Sequence, residues 1–212
     1  MRFKRIMITA LVLFGLTLIS WLLLTFFVAK PGPEKEIIIG KENKNPKAVI
    51  VYDPDPIYNL DEKVCRSFAQ GLSERGWMTK IITVASASKI EDEYFDLYVF
   101  CANTYNWAPD KAIKDYIKNL HKLRGKKVVA FTLGSGSTKR AQRILERLLI
   151  EKEAELIESK SLWLVKPNDQ SQKEQSNVKL AERIAKNVAT SVVQKLKNQD
   201  KNSETKINIY EN

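Results

Sequence analysis

"FDLYVFCANTYNWAPDKAIKDYIKNLHKLRGKKVVAFTLGSGS", residues 95–137, decides how this chain folds. Two apolar runs of strand length, Phe95–Cys101 and Val128–Thr132, bracket a segment whose apolar residues recur at helical spacing: Ala112, Ile113, Tyr116, Ile117 and Leu120. Pro109 is placed to open that helix, where its missing N–H costs nothing. Each run empties into a short polar stretch, "ANTYNWAP" after the first and "LGSGS" after the second. Near-continuous apolar strands alternating with helices are the pattern of a parallel sheet covered on both faces.

The flanks repeat the pattern. Upstream, "KAVIVYDPDPIYNLDEKVCRSFAQGL", residues 47–72, reads as strand, turn and helix. Asn59 is an N-cap candidate, with Glu62 as its capping-box partner. Val64, Cys65, Phe68 and Leu72 follow at helical spacing, and Gly76 ends the helix. Met78–Val84 is a second strand, and "SASKIEDEY" a short polar helix or turn. Downstream, Ala141–Ile150 is a helix turning Ile144, Leu145, Leu148 and Leu149 inward. A fifth strand lies within Ala154–Val165, with a break expected near Lys160–Ser161. A last helix, Val178 to about Leu196, carries Ile184, Val188, Val192 and Val193 on one side. The expectation is an α/β domain over 47–197, with a doubly wound five-stranded parallel sheet. Its ligands would bind outside the C-terminal ends of the strands.

Three segments in order, 48–72, 95–137 and the last two helices with the fifth strand, resemble the flavodoxin family in its short-chain form. The resemblance implies FMN held by three loops at one end of the sheet. In the family the first loop wraps the phosphate with small residues, hydroxyls and backbone amides, helped by a helix N-terminus. Here that loop is Asp53-Pro54-Asp55-Pro56-Ile57-Tyr58-Asn59-Leu60, about two residues longer than the family pattern. Only Tyr58 and Asn59 offer neutral polar side chains, and Pro54 and Pro56 lack the N–H a nest uses. A carboxylate beside a phosphate costs about 1 kcal/mol even at solvent-like dielectric. The phosphate loop is therefore degenerate, and a plain capped turn is the competing reading.

The second loop is closer to the family's. Asn103, Thr104, Tyr105 and Trp107 are candidates to contact the flavin ring, the aromatics by stacking. The alternative is that Trp107 shields the top of its strand. The third loop supplies Gly134, Ser135, Gly136 and Ser137, small and hydroxyl-rich where the family often has an aromatic. "GSGSTK" invites an anion reading of its own, but it lacks the endings of a Walker loop or a dinucleotide fingerprint.

Residues 1–29 read as an N-terminal transmembrane anchor. Ile6–Val28 is 23 residues without a charge, enough to cross a hydrocarbon core of about 30 Å. Residues 6–28 are thus the expected contact with membrane lipid. The exit Phe27-Val28-Ala29-Lys30 is a poor signal-peptidase site. Arg2, Lys4 and Arg5 favour a cytoplasmic N-terminus with the domain outside, and the lysines from Lys30 to Lys47 oppose it. Residues 30–46, rich in Pro, Gly and Lys, read as a flexible tether, and 198–212 as a polar C-terminal tail.

The net charge of +10 fits an anionic membrane surface or an acidic partner protein. Basic residues are mixed with acids, so no nucleic acid is expected. No catalytic or metal-ligand constellation is found: His121 is the one histidine, placed to face solvent, and Cys65 and Cys101 sit in apolar runs as buried thiols. Two functions remain open. One is a membrane-tethered FMN-binding electron carrier serving a membrane or acidic redox partner. The other is a flavin-less interaction or scaffold domain presenting Lys111, Lys114, Lys118, Lys122, Lys126 and Lys127. A flavin reductase would need a nicotinamide site, which the sequence does not offer.

Overall fold

The computed structural model describes residues 2–28, 30–41, 45–90, 93–172 and 176–210, with backbone alone from 202 onward. Met1 and Ala29 of the expected anchor, 42–44 of the tether and 211–212 of the tail lie outside the described residues. The chain begins with α1 (Arg2–Val28) and a short strand, β1 (Glu36–Ile39). The α/β unit follows: β2 (Lys47–Tyr52), α2 (Leu60–Ser73), β3 (Met78–Thr83), a 3-10 helix (Val84–Ile90), β4 (Leu97–Tyr105) and the two-residue β5 (Ala108–Pro109). It closes with α3 (Lys111–Asn119), β6 (Lys127–Gly134), α4 (Lys139–Glu151), β7 (Glu155–Trp163) and α5 (Asn177–Tyr210).

The sheet runs β1-β3-β2-β4-β6-β7. β3, β2, β4, β6 and β7 are parallel, and β1 is antiparallel on the edge. Counted in chain order, the five parallel strands lie 2-1-3-4-5, a doubly wound sheet whose order reverses between β2 and β4. The two-residue period of a strand sorts the core. Ala48, Ile50 and Tyr52 of β2 pack with Val64, Phe68 and Leu72 of α2 and with Ala181, Ala185 and Ala189 of α5. Val49 and Val51 pack on the other face with Ile113 and Ile117 of α3 and Leu145 and Leu149 of α4. Among the described residues, α1 is the one helix long and apolar enough to cross a membrane, with a mean hydropathy of 2.5.

Four local readings are corrected. The expected tether 30–46 contains β1, whose four residues pair with Thr79–Ile82 and cover the outer edge of β3. Ile37 and Ile39 pack against the core beneath it. Pro109 does not open a helix; it pairs with Thr104 in β5, and Asp110 caps α3 by accepting from the Ile113 N–H at 2.8 Å. The fifth strand is unbroken at Lys160–Ser161, and its irregularity is a bulge at Ile157, between the pairs Val128–Leu156 and Val129–Glu158. The expected tail continues α5 to Tyr210, with no Pro or Gly to interrupt it and with Asp200 paired to Lys127 at 3.1 Å. Asn59 stands at the N-cap of α2 without a side-chain cap bond. Glu62 turns instead to Lys35 and Arg66.

Helices α2 and α5 approach closely because of Gly71. A Cβ there would lie 2.8 Å from the Ala189 Cβ and 2.8 Å from the Lys186 carbonyl oxygen. Gly71→Val should therefore force the helices apart and lower stability by about 1–3 kcal/mol, measured by urea unfolding.

Candidate functional site

The strand reversal opens a crevice between the ends of β2 and β4, and Asn103 on β4 closes its floor. The Asn103 side-chain amide donates to the Asp53 carbonyl at 3.0 Å and to the Asp61 carboxylate at 2.9 Å. Its backbone N–H donates to Asp110 at 2.9 Å. One buried residue thus ties the first loop, the start of α2 and the start of α3 to β4. Asp61 accepts two further backbone N–H groups, from Asp55 at 2.5 Å and Glu62 at 2.7 Å.

The first loop is closed on itself. The Asp55 carboxylate accepts the N–H groups of Ile57 at 2.7 Å and Tyr58 at 2.8 Å, and the Tyr105 hydroxyl at 2.7 Å. The loop's own carboxylate thus fills the small anion nest formed by these two amides. Asp53 is spent differently: it accepts the Gly32 N–H at 2.8 Å, which ties the segment after α1 to the loop.

The second loop is a tight hairpin. Tyr105 pairs with Ala108 across Asn106 and Trp107, whose φ angles are 50° and 60°. Two positive φ values make this the mirror-image turn that suits strand twist. A bulky residue there without glycine is strained. Trp107 stands exposed at the tip.

Thr104 and Gly134 then divide the rim. A Cβ on Gly134 would lie 3.3 Å from that of Thr104, which shows how closely the second and third loops meet. On one side is a cavity of about 170 Å³, lined by Asp55, Tyr58, Leu60, Asn103, Thr104, Tyr105, Leu133, Gly134, Ser135 and Leu164. On the other is a cleft of about 320 Å³, lined by Thr104, Asn106, Trp107, Gly134, Ser135, Gly136, Ser137, Thr138 and Trp21 of α1. The structure therefore brings together Tyr58, Asn103, Thr104, Tyr105, Gly134 and Ser135. It places Trp107, Gly136 and Ser137 in the neighbouring cleft, and Asn59 in a third beside Lys63 and Val178. The Thr104 hydroxyl oxygen is buried without a hydrogen-bond partner, the one such group among the candidate residues described.

Four carboxylates gather beneath this rim, and three of them are buried: Asp53, Asp61 and Asp110. Burial pushes Asp61 up to about 6 against the pull of its hydrogen bonds. Burial, with the Asp53 charge adding to it, pushes Asp110 up to about 7. Burial also raises Asp53. Burial and the Asp55 hydrogen bond hold the Tyr105 hydroxyl protonated, well above the ordinary phenol range. Sequence reading missed Asp61, Asp110 and Leu164. An aspartate before a helix was a visible cap signal for Asp110, but the burial of Asp61 depends on Asn103, 42 residues away. Cys65 and Cys101 are free and buried. Among the described residues, no group of three or more His, Cys, Asp or Glu is placed to hold a metal ion.

The strand order 2-1-3-4-5, its reversal between β2 and β4, and the three loops meeting at one rim define the fold. The fold is flavodoxin-like. Solved structures similar to this chain include a flavodoxin from the domain Archaea (12% identity, TM-score 0.51, 69% of this chain and 98% of that one). Oxidised flavodoxin 2 from Bacillus cereus is another (21%, 0.51, 68% and 97%). The rubredoxin oxygen:oxidoreductase of Desulfovibrio gigas is a third (18%, 0.54, covering 72% of this chain), and this chain spans only 37% of it. No protein-family model matches the sequence, and no curated protein matches it.

Two outcomes follow from the carboxylates. Asn103→Ala leaves the Asp61 carboxylate and the Asp53 carbonyl short of a donor, and should cost about 1–3 kcal/mol in chemical denaturation. Asp61 and Asp110 ionise near pH 4 when unfolded but at about 6 and about 7 when folded. The native state then holds more protons across that interval, so stability should fall as pH rises from about 4 to about 7. Asp61→Asn should flatten that slope in unfolding curves taken at several pH values.

Proposed function

We propose that this chain is a single-pass, membrane-tethered flavodoxin-like protein that takes a flavin at its rim and exchanges electrons with a membrane or acidic redox partner. The supporting observation is that residues near 58, 104 and 135, distant in sequence, line one cavity at the strand reversal. Bound FMN would supply one- and two-electron transfer at that rim. The ring end suits such a group: aromatic Tyr58 and Tyr105 flank the cavity with Leu60 and Leu164, and Thr104 brings an unused hydroxyl to its wall. The phosphate end does not suit it while Asp55 sits on the Ile57 and Tyr58 amides. A phosphate must displace that carboxylate, whereas an uncharged flavin tail need not. The anchor is α1, whose 27 residues span about 40 Å. The N-terminus is assigned to the cytoplasm and the domain to the other side.

The filled nest favours a second reading, a flavin-less interaction module at the membrane surface. The lysines first assigned to that role are partly engaged: Lys111 pairs with Asp115, Lys127 pairs with Asp200, and Lys126 lies over the Tyr94 ring at 4.2 Å.

Titration of the full chain in lipid nanodiscs with riboflavin and FMN, read by flavin fluorescence quenching, separates the two. The flavin reading expects riboflavin to bind at least as tightly as FMN. Asp55→Ser should then tighten FMN roughly fivefold or more, as removal of about 1 kcal/mol or more of like-charge repulsion requires. Asp53→Ser should not, because its carboxylate serves Gly32. If neither flavin binds either the natural chain or the Asp55→Ser variant, the module reading stands alone.

A further inference from the structure

The end of α1, the peptide that follows it and four exposed apolar residues of the domain meet at one pole. Val28 ends α1, and four residues later Gly32 is bonded to Asp53 at the C-terminal end of β2. A Cβ on Gly32 would lie 2.6 Å from Pro54, so this segment lies flat against the first loop. Three residues on, the Lys35 N–H donates to Thr83 and Ser86 at the end of β3. Four residues extend at most about 14 Å, so the rim stands within that distance of the helix end. Trp21, about 10 Å back along α1 from Val28, lines one cleft with Trp107.

That rim groups four exposed apolar residues, whereas Tyr94 and Ile150 are exposed singly at the other end. Ile57 and Tyr58 on the first loop are 55% and 54% exposed, Trp107 on the hairpin 63%, and Val165 after β7 71%. Trp107 is held there on a strained backbone, with φ at 60°. Around these tips are exposed bases: Lys30, Lys139, Arg140 and Lys166. Lys139 and Arg140 occupy the first turn of α4, which carries no acid. The helix dipole does not offset their charge, so they add to the positive potential of this pole. The nearby acids Glu34 and Glu62 are neutralised by Lys89 and by Lys35 and Arg66. Aromatic and aliphatic tips ringed by bases are the composition of a surface that sits at the headgroup level of an anionic bilayer.

The geometry points to the loop rim as a membrane-docking surface, with Ile57, Tyr58, Trp107 and Val165 seated among the headgroups of the bilayer that α1 crosses. This rests on the reading of α1 as an anchor, and it goes further. A tethered domain need not touch lipid, whereas this one presses its ligand rim against it.

The test uses the full chain in nanodiscs of phosphatidylcholine and phosphatidylglycerol, with spin labels placed singly at cysteines introduced by Ile57→Cys, Trp107→Cys or Val165→Cys. Tyr94→Cys and Ile150→Cys report the opposite pole, and Leu24→Cys reports the anchor. The readout is collision with dissolved oxygen relative to a water-soluble nickel complex. The rim labels should give a ratio at least fivefold above those at 94 and 150. Trp107→Glu should lower the ratio at 165 at least threefold, with Leu24→Cys and the circular dichroism unchanged. Rim labels as water-exposed as 94 and 150, with the 24 label lipid-exposed, would overturn the docking and spare the anchor. A water-exposed 24 label would overturn both. Dipolar broadening between rim labels without a rise in oxygen access would assign the face to a second copy, and so overturn the proposal too.

Discussion

The bond from the Asn103 amide to the Asp61 carboxylate crosses the point where the strand order reverses, and the rim is organised from it. β2 and β4 part there, so no ladder hydrogen bond joins their outgoing loops. Asn103 supplies the missing link through Asp53, Asp61 and Asp110. With those positions held, Asp55 is delivered to the Ile57 and Tyr58 amides and Tyr105 is drawn over it. The amide is worth this position because it donates twice in a place where the other groups are acceptors.

The electrostatic consequence is a layered rim. Carboxylates lie underneath, buried and held by N–H groups rather than by cations, while exposed lysines and arginines stand on top. A buried acid answered only by neutral donors is released from burial by taking up a proton, which is why Asp61 and Asp110 are raised rather than lowered. The buried acids Asp53, Asp61 and Asp110 are bonded to N–H groups of the protein rather than to the exposed bases above them.

Much of the architecture was legible in order along the chain. The strands β2, β3, β4 and β6 were visible because each is a short apolar run, and α2 and α4 because their inward residues keep helical spacing. The loops were correctly grouped at one rim from the strand pattern and the resemblance together. What escaped is whatever depends on a distant partner. Glu36–Ile39 has no strand signal beyond three isoleucines, and only the open edge of β3 makes it one. Asp55 could be read as a charge, but its donors could not, since they require a particular turn. Tyr105 and Trp107 were both stacking candidates; the turn at Asn106–Trp107, with no glycine to announce it, sends them into different clefts.

The edge strand carries one more implication. β1 follows α1 in the chain and precedes the rest of the sheet, and it covers the margin of β3. A protease cutting just after Val28 would shed a soluble fragment that keeps β1 in place, with its sheet margin still capped. A cut between Gly40 and Pro46 would sever β1 from the domain it protects and free that margin for pairing with other chains. The position of the nick, rather than release itself, would separate a well-behaved fragment from an aggregating one.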